Sequence, residues 1–162
     1  MIAEVIDSMI NYFESDIKRI NHALKVYGFA NCIVRKEKLS EKEILTVEIA
    51  AVLHDIGIKE AEIKYHSSIG KYQEIEGPII AKKILTDLNF EADIIDRVCF
   101  IIGNHHTYQN IDGLDFQIIV ESDFLVNIFE DEIETSSLES IKTKYFKTST
   151  GRSIIQSMYL KQ

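Results

Sequence analysis

The run Ile44, Leu45, Val47, Ile49, Ala50, Ala51, Val52, Leu53 leaves almost no polar face, and it ends in His54-Asp55. A helix of this kind must be covered on all sides, which makes it the centre of whatever fold forms around it. Burial then raises a problem at its end, because an imidazole and a carboxylate need partners there. Gly57 reads as a C-terminal stop, which places the pair in the last turn, at the negative end of the helix dipole. That position favours a cation, and divalent transition metals accept imidazole nitrogen together with carboxylate oxygen.

The rest of the chain supplies helices to cover the run. Apolar positions 2, 5, 6, 9, 10 and 13 fit a short amphipathic helix. A second helix is expected from about Asp16 to Glu37, and its stripe of His22, Val26, Phe29 and Ile33 carries a histidine on an apolar face. Ser40 and Glu43 form a capping box that opens the central helix. Residues 57–77, with three glycines, Ser67-Ser68 and several lysines, are expected to be irregular. Gly77-Pro78 would then start a helix running to about Leu88, with Pro at the first helical position. Further helices are expected over 91–106 and 114–130. The tail, 137–160, reads as one or two helices interrupted near 148–151. No strand pattern or repeat stands out, so the class is all-α, and the length suits a single domain.

Charge and composition limit the function. The formal charge of −8 argues against a nucleic-acid polymer as partner, since phosphate neutralisation needs a basic surface. No apolar run approaches a membrane span, and the N-terminus lacks the basic and apolar blocks of a signal peptide. Cys32 and Cys99 fall in helical patterns and read as reduced, buried thiols. These features point to a cytoplasmic protein with no membrane partner. They say nothing of oligomeric state.

Asp123 is the best companion for the His-Asp pair. On a helical wheel it shares a side with Phe116, Ile119, Val120, Val126 and Asn127, and its own helix has no Lys or Arg to pair with. Such a carboxylate must bind a metal, find a distant cation or take up a proton. A lone histidine on an apolar stripe is more often a hydrogen-bonded core residue. His22, His54, Asp55 and Asp123 together, from three helices, match the way metal sites are built in bundle cores.

These residues carry a resemblance. The order His22, His54-Asp55, Asp123 resembles the HD-domain superfamily of metal-dependent phosphohydrolases. So do the flanking segments RINHALKVYGFA, EIAAVLHDIGI, EIEGPIIAKKIL, IIGNHH and VESDFLVN. The resemblance covers a motif-bearing core at about 15–130 and implies a single-domain helical bundle with a central metal site of one or two divalent ions. It makes His22, His54, Asp55 and Asp123 the primary ligands, with Asp55 able to bridge. Candidates for a second ion are Glu74, His105, His106 and His66. The segment after the pair, HDIGIKEAEI, and the one after the double histidine, HHTYQNIDGLD, lack the signatures of members that degrade cyclic dinucleotides.

The expected chemistry is hydrolysis of a small phosphorylated metabolite, such as a nucleotide, by a metal-activated water. Manganese, iron, cobalt, nickel or zinc suit the mixed nitrogen and oxygen ligands better than magnesium does. Lys59 and Lys64, and less directly Lys71, are expected to neutralise substrate phosphate, with His105 or His106 as general acid. Two other readings are a di-iron oxygenase, completed by His66, Glu74 and His105, and a non-catalytic module that binds a metal or nucleotide for signalling.

Overall fold

The computed structural model describes residues 1–161, and all the regular structure among them is helical. In order these are α1 (Ile2–Phe13), α2 (Ile17–Val34), α3 (Glu41–Leu53), α4 (Ile58–Tyr65), α5 (Gly70–Asp87) and α6 (Ala92–Ile102). A 3-10 turn at Tyr108–Asn110 leads into α7 (Leu114–Glu130), then α8 (Thr135–Tyr145), α9 (Ser149–Ile155) and a π-helical turn at Gln156–Leu160.

The apolar run forms α3, and its surroundings follow from its composition. It packs against α1, α2, α6 and α7, and everything from Val47 to Leu53 is buried. Glu48 is the one carboxylate in that stretch, and Arg35 of the α2–α3 connection meets it at 2.9 Å. The capping box is present: Glu43 N–H donates to the Ser40 hydroxyl, and the Glu43 carboxylate accepts from Ser40 N–H at 2.7 Å. Asp16 caps α2 by accepting from Arg19 N–H at 3.2 Å.

The C-terminal segment is tied back to the core through a buried carboxylate on α7. Glu121 accepts backbone N–H groups from Lys147 at 2.6 Å and Thr148 at 2.9 Å. No helix among the described residues is long and apolar enough to cross a membrane.

Four expectations are corrected. Residues 57–77 are not irregular: α4 occupies 58–65, and α5 begins at Gly70 with Pro78 in its interior. The cost of an internal proline is met by tertiary packing, since α5 lies against α4 and α6 and is held from both sides. Gly57 is not the stop of α3, which ends at Leu53 with His54 as its C-cap; it is the N-cap of α4, with φ −76°. What it needs is closeness, because a Cβ there would lie 2.5 Å from both Gln73 O and Gly77 N. The helix expected over 91–106 stops at Ile102, leaving His105 and His106 in the turn that follows. Cys32 is exposed and Cys99 half-buried, so neither is the buried thiol that helical patterning implied.

Candidate metal centre

Three helix ends or faces meet at one point. His22 projects from the second turn of α2, His54 caps the C-terminus of α3 with Asp55 beside it, and Asp123 comes from the buried face of α7. The contacts α2–α3, α2–α7 and α3–α7 that bring them together are among the main packing interfaces of the fold.

The hydrogen-bond inventory decides what this point can hold. His22 Nδ1 lies 2.7 Å from a Glu130 oxygen, and His54 Nδ1 lies 2.9 Å from the Ala51 carbonyl. A carboxylate and a carbonyl can only accept, so each Nδ1 carries a proton, and each ring in its neutral form turns an Nε2 lone pair inward. Those two Nε2 atoms are 3.2 Å apart. Asp123 Oδ1 is 3.2 Å from the first and 3.6 Å from the second, while Asp55 Oδ2 is 3.5 Å from each. Four such atoms facing one another repel unless a proton or a metal ion lies among them. Metal–donor bonds of about 2.0–2.2 Å imply donor–donor spacings of about 2.8–3.6 Å, so the opening has the size of a transition-metal ion.

A second group adjoins it. Asp55 Oδ1 is 3.4 Å from His105 Nε2, and Asp55, His105 and His106 form a further cluster able to take an ion. His105 donates Nδ1–H to Ile102 O at 2.7 Å, and its buried Nε2 has no hydrogen-bond partner. Asp55 thus offers one oxygen to each cluster.

The electrostatics agree with a cation site. Burial works against a charge on His22, but Asp123, Asp55 and Glu130 outweigh it and raise its pKa to about 9. Burial likewise opposes ionisation of Asp55 and Asp123. The histidines beside them win, holding both carboxyls below the usual range. His106 goes the other way: burial and its neighbour His105 push it down to about 4, so its ring is neutral at neutral pH.

The cluster opens into a cavity of about 390 Å³. Lys18 and Arg19 of α2 stand on its wall, with Ser68, Gln73 and Asn127 as neutral polar groups. Sequence position did not point to these two cations. It pointed to Lys59 and Lys64, and neither lines the cavity. Lys59 Nζ donates to Tyr12 O at 2.9 Å and to Glu14 at 3.0 Å, and Lys64 Nζ to Glu76 at 2.6 Å. Both ride on α4, a helix that the irregular reading of 57–77 had not foreseen. Lys71 is not among the lining residues either.

Two candidates for a second ion lie outside both clusters. His66 is exposed at the C-cap of α4 with φ 51°. Glu74 instead braces the 105–107 turn, accepting His106 N–H at 3.0 Å and the Thr107 hydroxyl at 2.9 Å.

The HD domain family model matches residues 19–143, a span that holds His22, His54, Asp55 and Asp123 and runs into α8. No curated protein and no solved structure is significantly similar to the chain. The match covers most of the chain, and the buried cluster of histidines and aspartates lies within it, so the chain belongs to the HD-domain family.

Proposed function

We propose that the protein is a metal-dependent phosphohydrolase that cleaves a small phosphate ester. The observation that carries the reading is the convergence of the His22 and His54 Nε2 lone pairs with carboxylate oxygens of Asp55 and Asp123. These four residues would hold a divalent transition metal, whose bound water is acidified towards neutral pH and whose charge polarises a phosphoryl oxygen. The Asp55, His105 and His106 cluster is the place for a second ion.

The chain's own residues supply the rest. Lys18 and Arg19 on the cavity wall meet the negative charge of a substrate phosphate. Arg19 also pairs with Asp16 at 2.8 Å and Glu62 at 2.6 Å, which fixes its position and weakens its pull on an anion. Lys18 is therefore the stronger phosphate partner. His106, neutral at neutral pH, suits ligation or hydrogen bonding better than the general-acid role. A cavity of about 390 Å³ lies at the small end of ligand sites, which suits a metabolite rather than a polymer. The oxygenase reading needs His66 and Glu74 beside His105, and of the three only His105 belongs to a cluster.

Phosphate release from nucleotides, cyclic nucleotides and sugar phosphates, with added Mn²⁺, tests the proposal. Turnover that needs metal and disappears in Asp55→Ala supports it. Nucleotide binding without turnover under every metal would favour the sensing module instead.

A further inference from the structure

Asp123, Asn127 and Glu130 stand at i, i+4 and i+7 on α7, so the three side chains share one helix face. Each does a different thing to the same site. Asp123 Oδ1 faces His22 Nε2 at 3.2 Å, and Asn127 Nδ2 donates to that same oxygen at 2.8 Å. Glu130 Oε2 accepts the Nδ1 proton of His22 at 2.7 Å. One helix thereby grips both nitrogens of an imidazole carried by another. The second Glu130 oxygen pairs with the Lys25 ammonium, one turn along α2 from His22.

The other histidines are held differently. His54 gives its Nδ1 proton to Ala51 O, and His105 gives its own to Ile102 O. Backbone carbonyls of the preceding turn orient those rings, and no side-chain substitution removes them. Of these three, only His22 depends on a side chain to fix which nitrogen carries the proton. A ligating imidazole works only when its inward nitrogen has the lone pair, and an acceptor on the far nitrogen secures that and makes the ring more basic.

We propose that Glu130 is a positioning residue of the metal site: it fixes His22 as an Nε2 ligand, and Lys25 in turn fixes Glu130. The proposal rests on the metal-binding part of the proposed function and is independent of the phosphate chemistry. Its ligand set places Glu130 behind His22, out of contact with the ion.

The experiment is calorimetric titration of metal-stripped protein with Zn²⁺, together with ¹⁵N NMR of the histidine rings in the loaded protein. Glu130→Ala is expected to weaken Zn²⁺ binding by about 10–100-fold, as removal of such partners does elsewhere. Glu130→Gln should recover most of that loss, because its amide oxygen still accepts from Nδ1. In the wild type, His22 should carry its proton on Nδ1. The proposal is overturned if Glu130→Ala binds Zn²⁺ like the wild type, if Glu130→Gln is as weak as Glu130→Ala, or if His22 shows the opposite tautomer. The tautomer reading needs no variant to fold. A wild-type protein that binds no metal would overturn the proposed function itself, and this inference with it.

Discussion

His22 Nε2 and His54 Nε2 face each other across 3.2 Å while each ring commits its other nitrogen to an acceptor. Without a proton or a metal between them the arrangement is repulsive, so a bound ion should stabilise the fold and not only the site. At a free metal concentration of about 100 times Kd the gain is about 2.7 kcal/mol. For a chain of this length that raises Tm by about 5–10 °C. Scanning calorimetry with and without a chelator measures it. Asp123→Ala should abolish the difference, and a chelator that leaves the wild-type Tm unchanged would count against the site.

Metal affinity should rise with pH. In the metal-free protein the His22 pKa is raised from 6.5 to about 9. Its protonated form therefore adds stability that is complete below about 6.5 and lost as pH climbs through about 9. An incoming metal must displace that proton, so apparent affinity should increase by up to about tenfold per pH unit below about 9. Titrations in buffers of differing ionisation enthalpy count the protons released. A pH-independent Kd between pH 6.5 and 8.5 would contradict this.

The cations should separate into two groups. Lys18→Ala removes a charged phosphate partner worth about 1.5–3 kcal/mol, and is expected to raise KM by about 10–100-fold with little change in kcat. Lys64→Ala should leave KM alone. It should instead lower stability, because Glu76 is buried and keeps only Tyr65, at 3.0 Å, as a partner. Initial rates and denaturant melts on the two variants distinguish the roles.

Gly57→Ala is the sharpest test of the packing behind Asp55. Its Cβ would fall 2.5 Å from the backbone of both Gln73 and Gly77, and backbone on both sides cannot give way as a flexible side chain would. A loss of about 2–4 kcal/mol is expected, with weakened metal binding because the residue sits two positions after Asp55. A denaturant melt that matches the wild type would show that α5 can move away freely.

What the sequence disclosed was whatever broke the rules of burial. Asp123 without a cation on its helix, His22 on an apolar stripe and His54-Asp55 after an apolar run all stood out, and the structure gathers them within one cluster of contacts. The capping box at Ser40 was legible because its chemistry is local. Pro78 misled because a proline signals a helix start only where tertiary packing does not override it. Lys59 and Lys64 fall outside the cavity because closeness in sequence to the pair says nothing about which way α4 carries them. Glu130 went unnoticed, although its spacing from Asp123 and Asn127 puts it on the same helix face, because a glutamate at a helix end looks like ordinary surface.

Metal content is the most direct measure of the central claim. Protein purified without chelator, or metal-stripped and then reloaded with Mn²⁺ or Zn²⁺, should carry one to two equivalents of a divalent transition metal by elemental analysis after desalting. The Asp55→Ala and Asp123→Ala proteins, confirmed as folded, should carry well under one. Wild-type protein that retains no metal after reloading, or an Asp123→Ala protein that retains as much as the wild type, would contradict the account.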